Sequence, residues 1–123
     1  MSKRIFVVED DEDIARNIVD LLEAEGYTVE HACDGKVALE KLRACRNLPD
    51  LILLDLMMPT MDGFRFRQEQ ESDPRFGAIP VVVMTADGHI EAKKQKIGAK
   101  AFVRKPIDID TILGVVERFV AVN

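Results

Sequence analysis

Four short stretches of this 123-residue chain carry side chains that could do chemistry. Glu9, Asp10 and Asp11 follow the apolar run Ile5 to Val8. Asp55 follows Leu51 to Leu54, and Thr85 follows Val81 to Met84. Lys105 and Pro106 follow the half-polar segment Lys100 to Arg104. Carboxylates gathered in one place repel, and each disfavours ionisation of the others. A hard divalent cation relieves that repulsion, and all-oxygen ligation at a partly hydrated site suits Mg²⁺ better than zinc or copper. Carboxylates, a hydroxyl and a lysine do not make a hydrolase triad. They do suit phosphoryl transfer onto a carboxylate, with an aspartate as the nucleophile and an acyl phosphate as the product. Such transfer needs in-line positioning and charge neutralisation more than covalent chemistry. The lysine would supply a fixed positive charge, and the threonine hydroxyl would donate to a phosphoryl oxygen.

Bringing these groups together falls to the segments between them. The three apolar runs are short, rich in Val, Ile and Leu, and bounded by polar or turn residues. Runs of this kind suit strands buried on both faces, hence a parallel sheet under helices. Tyr27 to Ala32 alternates and Lys100 to Arg104 is half polar, so both read as edge strands. Helical spacing fills the gaps. Ile14, Ile18, Leu21, Leu22 and Glu25 form one stripe, with Asp11 and Glu12 at its start and Gly26 past its end. Val37, Ala38, Leu39, Leu42 and Cys45 form a second. Ile109, Ile112, Leu113, Val116, Phe119 and Val120 form the last, opened by Asp108. Phe64 to Glu71 and Ile90 to Ile97 are poorer. The former is expected to end before Asp73 and Pro74, because a residue preceding proline avoids helical angles. Five strand–helix alternations imply a parallel sheet with helices on both faces and right-handed crossovers. In such sheets the site lies beyond the carboxyl ends of the strands, where strand order reverses. All four chemical stretches fall at those ends.

The length fits one domain, residues 1–123, and an apolar fraction of 47% is enough for a core. A net charge of −5 argues against a nucleic-acid surface and against a polybasic membrane anchor. No apolar run is long enough to span a bilayer, and the N-terminus lacks a secretory apolar region. Cys33 and Cys45 have no metal-ligand spacing and are expected to be half-buried, reduced thiols of a cytoplasmic protein. His31 reads as an ordinary strand residue and His89 as a solvated one.

Taken together, VVEDDED, LILLDLMMPTMDG, VVVMTA and GAKAFVRKP resemble the receiver domain of two-component response regulators, the CheY-like family. The resemblance covers essentially the whole chain. It implies a flavodoxin-like (βα)5 fold in three α/β/α layers, with strand order 2-1-3-4-5. Asp55 resembles the phosphoacceptor, Asp10 the direct Mg²⁺ ligand, and Glu9 its acidic partner acting through water. The acidic triplet admits a second frame shifted by one residue; the favoured frame leaves Asp11 to start a helix. The backbone carbonyl of Met57 resembles a further metal ligand. Thr85 and Lys105 resemble the switch hydroxyl and the phosphate-binding lysine, and the Lys105–Pro106 bond is expected to be cis. Phe102 resembles the switch aromatic, although an edge-strand core residue would look the same. Gly63 matches a loop glycine and Gly98 would end the fourth helix. Met57, Met58 and Met61 read as packing. Lys93, Lys94 and Lys96 read as a solvated face or a partner contact.

The function implied is Mg²⁺-dependent acceptance of a phosphoryl group from a histidine kinase or histidine phosphotransfer protein. A changed face of the fourth helix, fifth strand and fifth helix would then be read by a downstream protein. The chain would catalyse its own phosphorylation and slow dephosphorylation without turning over a free substrate. It is expected to be a monomer or weak dimer in the cytoplasm, free of nucleic acid and membrane. It would be a stand-alone receiver or a domain of a longer chain. Other readings fit less well. A phosphatase of the haloacid dehalogenase type would want an acid at position 57, and a flavin site would want a phosphate-cradling loop after Val8. A phosphorylation-independent scaffold usually lacks one of the residues kept here.

Overall fold

The computed structural model describes residues 3–55, 63–85 and 99–120. Its strands are β1 (Arg4–Val8), β2 (Thr28–Ala32), β3 (Leu51–Asp55), β4 (Val81–Thr85) and β5 (Ala101–Arg104). All pair in parallel, in the order β2-β1-β3-β4-β5. The helices among the described residues are α1 (Glu12–Ala24), α2 (Gly35–Ala44), α3 (Gly63–Ser72) and a C-terminal helix (Ile109–Val120). This is the expected flavodoxin-like, doubly wound arrangement. The predicted fourth helix, Ile90 to Ile97, with His89, Lys93, Lys94, Lys96 and Gly98, lies outside the described residues, as do Met57, Met58 and Met61.

The central strands are uninterrupted apolar runs because both their faces are covered. Side chains alternate across a strand. Phe6, Val8, Ile52, Leu54, Val81 and Val83 therefore meet Ala38, Leu39 and Leu42 of α2 and Phe66 of α3 on one face. Ile5, Val7, Leu51, Leu53, Val82 and Met84 meet Ile18 and Leu22 of α1 and Ile112, Val116 and Val120 of the C-terminal helix on the other.

Polar residues set the helix ends. Asp11 Oδ1 accepts from the backbone N–H groups of Asp13 and Ile14 at 3.0 and 3.1 Å, capping α1. Gly26, at φ 96°, takes the left-handed turn just beyond that helix. Asp34 Oδ1 accepts from Val37 N at 2.8 Å, capping α2. Its other end is covered by the Arg75 guanidinium, which donates to the carbonyls of Leu42, Arg43 and Cys45.

Two sequence expectations need correction. Ile109 is 58% exposed rather than part of the buried stripe, because the inward face of that helix begins at Ile112. Cys33 is exposed rather than half-buried; Cys45 is half-buried, and both thiols are free. In α3, Gln70 is fully buried and extends the face begun by Phe66. The short apolar stripe of that helix arises because a polar side chain does a core residue's job.

Candidate functional site

The parallel register carries the carboxyl ends of β1, β3, β4 and β5 to one edge of the sheet. Asp55 closes β3 opposite Met84, and Thr85 closes β4 opposite Arg104. The Lys105 N–H donates to the Thr85 carbonyl at 2.9 Å and so extends the ladder to the lysine. Beyond β1, the Glu9 N–H donates to the Ala32 carbonyl at 3.1 Å. Glu9, Asp55 and Thr85 are all buried here, which is unusual for the two carboxylates.

Lys105 Nζ lies 2.8 Å from Glu9 Oε1 and 3.4 Å from Asp55 Oδ2. Glu9, Asp10 and Asp55 each offer a carboxylate oxygen within 4.8 Å of the others, with Asp10 on the exposed side. Glu9 Oε2 accepts from the Asp11 N–H at 3.1 Å. The buried Glu9 Oε1 has the ion pair with Lys105 but no bond of hydrogen-bond geometry. The Asp11 carboxylate is committed to capping α1, as the Glu9–Asp10 frame requires. Burial, reinforced by the Glu9 carboxylate and by Asp10, pushes the Asp55 carboxyl up to about 7 against the opposing pull of Lys105. For Lys105, burial opposes the charge, but Glu9 and Asp55 outweigh it and lift its pKa above the usual lysine value.

One ammonium paired with two of three crowded carboxylates leaves an excess of negative charge and an under-used buried oxygen. That donor set is all hard oxygen, and it fits a divalent cation of the magnesium class. Met57, whose carbonyl would complete the expected ligands, lies outside the described residues. The Lys105–Pro106 peptide is cis. Phe102 is half-buried and packs against the α2–α3 side of the core. A groove of about 510 Å³ opens beside the site between α1 and the C-terminal helix, with Ile14, Ile18, Leu21, Pro106 and Ile109 among its walls.

Sequence reasoning missed one participant. His31 Nε2 stands 2.8 Å from the Glu9 carbonyl oxygen. Only pairing of β1 with β2, which sets His31 beside Val7, could have drawn it toward the acidic loop.

A family model described as the response regulator receiver domain matches residues 5–117. This chain belongs to the response regulator receiver family. Response regulator PleD of Caulobacter vibrioides is 47% identical over 110 residues, 88% of this receiver and 24% of PleD. The chain thus spans a minor part of such curated relatives. A response regulator structure from Chloroflexus aurantiacus superposes with a TM-score of 0.89 at 27% identity, covering 99% of this receiver and all of that chain. The phosphorylated cyanobacterial phytochrome response regulator RcpA gives 0.85 at 28% identity, covering 100% and 98%. No helix among the described residues is long and apolar enough to cross a membrane.

Proposed function

We propose that this receiver accepts a phosphoryl group from a phosphohistidine onto Asp55, in a reaction that depends on Mg²⁺. The observation that carries the reading is the convergence of Asp55 with Glu9, Asp10 and Lys105 in one corner, from segments far apart in sequence. Membership of a signalling family with a phosphorylated neighbour supports it.

Glu9, Asp10 and Asp55 would hold the cation, which when bound supplies charge neutralisation for the acceptor and for the incoming phosphoryl oxygens. An Asp55 oxygen attacks phosphorus, the P–N bond to the donor histidine breaks, and the imidazole nitrogen keeps the electron pair. Lys105, already poised over Asp55 Oδ2, takes up charge on the transferred group. Thr85 donates its hydroxyl to a phosphoryl oxygen. That movement frees space for Phe102 to turn inward, and a downstream protein reads the altered face around β5. Phosphorylation shifts this two-state equilibrium only through contacts that differ between the states. The groove beside Lys105 would receive the donor protein, since its wall of Ile14, Ile18 and Ile109 leads to Lys105 itself. The chain modifies itself and turns over no free substrate. A low-molecular-weight phosphodonor with Mg²⁺ should label the wild type and leave Asp55→Asn unlabelled. Equal labelling of both would overturn the assignment.

A further inference from the structure

The Glu9 backbone is held more tightly than a loop residue needs. Its N–H donates to Ala32, its Oε2 accepts from Asp11, and its Oε1 pairs with Lys105. The Glu9–Ala32 bond lies just past the last β1–β2 register pair, Val8 with Ala32, and among the described residues no backbone N–H donates to the Glu9 carbonyl. The imidazole of His31 fills that gap at 2.8 Å. A carbonyl only accepts, so Nε2 must carry the proton. The histidine is anchored in turn, because Lys41 Nζ of α2 donates to the His31 carbonyl at 2.6 Å. The Glu9 carbonyl belongs to the peptide plane that leads into Asp10, the exposed member of the acidic cluster.

From this geometry we infer that His31 is a positioning residue for the metal site. Its Nε2–H fixes the Glu9–Asp10 peptide and so aims the Asp10 carboxylate toward Glu9 and Asp55. The inference rests on the Mg²⁺ binding proposed above for that cluster. His31 touches neither the cation nor the phosphoryl group. It acts by removing freedom that the loop would otherwise lose on binding.

Magnesium titration of the full chain at fixed pH, read by calorimetry, provides the test. His31→Leu keeps bulk and removes the donor, and should weaken Mg²⁺ binding by about three- to tenfold, as loss of one hydrogen bond predicts. In His31→Gln the carboxamide nitrogen reaches where Nε2 stood, and affinity should return to near the wild-type value. A purely structural histidine would lower the melting temperature of the metal-free protein and leave Mg²⁺ affinity alone; that result overturns the inference. Wild-type protein that ignores Mg²⁺ would overturn the metal site as well, so the two failures are distinct. Nitrogen-15 spectra of the neutral ring need no variant. The Nε2–H tautomer is expected, and the Nδ1–H tautomer would sink the proposal.

Discussion

Two buried polar regions of this receiver follow opposite rules. Around Gln70, every polar demand is met. Its Nε2 donates to the carbonyls of Phe76 and Ile79 at 2.8 and 3.2 Å, and its Oε1 accepts from Arg67 Nη1 at 2.7 Å. Gly77 lets the chain pass so closely that a Cβ there would stand 2.7 Å from the Asp73 carbonyl oxygen. Around Asp55, three carboxylates crowd one ammonium, and a buried oxygen of Glu9 lacks a hydrogen bond. A satisfied network fixes a structure, whereas like charges held together store unfavourable energy until a ligand relieves it. The first region is therefore read as architecture and the second as a site.

On that contrast, removing any member of the Gln70 network should destabilise the fold, whereas in the acidic corner losing the ammonium should destabilise it and losing a carboxylate should stabilise it. Gln70→Ala should have the largest effect on stability. It strands the carbonyls of Phe76 and Ile79 and leaves a void, a loss of about 2–4 kcal/mol. Chemical denaturation checks it, and a loss below about 1 kcal/mol would show that the network is not structural. Lys105→Met should come next. Removing the ammonium leaves Glu9 and Asp55 facing each other, at a cost of about 1–3 kcal/mol in the metal-free protein at pH 8. Added Mg²⁺ should recover part of that loss.

A smaller effect of reversed sign is expected at Asp55. Its carboxyl titrates at about 7 in the folded chain, against 3.8 for an unperturbed aspartate. Between these values the folded state binds more protons than the unfolded state. Stability of the metal-free protein therefore falls as pH rises from about 4 toward 7. Asp55→Asn should flatten that decline and raise the melting temperature above neutral pH by a few degrees. An unchanged slope would mean that Asp55 is not the strained group. The same protonation predicts that Mg²⁺ binds more tightly as pH rises through 7, with release of protons. Calorimetry in buffers of different ionisation enthalpy measures that release.

The contrast also bears on what can be read in a sequence. The apolar runs at Ile5, Leu51 and Val81 foretold central strands because burial on both faces demands continuous hydrophobicity. Those strands in turn placed Glu9, Asp55, Thr85 and Lys105 at a shared edge. Gln70 and His31 were illegible for a common reason. Each has a ring or amide nitrogen that donates to main-chain carbonyls of another segment, and carbonyls leave no signature in residue type. Ile109 misled because periodicity fixes a helix face but not how far the neighbouring element extends to cover it.

Arg75 tests this last point at the smallest scale. In sequence it is one more exposed cation after a proline. In the fold, its guanidinium spans from the α3–β4 connection to the carbonyls at the end of α2. Those carbonyls have no partners within the helix, and a cation there also complements the helix dipole. Because the group is exposed, water replaces most of what it supplies, and Arg75→Ala should cost no more than about 1 kcal/mol. The informative readout is local. Amide exchange should quicken in the last turn of α2 while the strands and the Asp55 corner stay protected. If exchange quickened equally in both regions, the satisfied network and the acidic corner would be one cooperative unit, and the division drawn between them would fail.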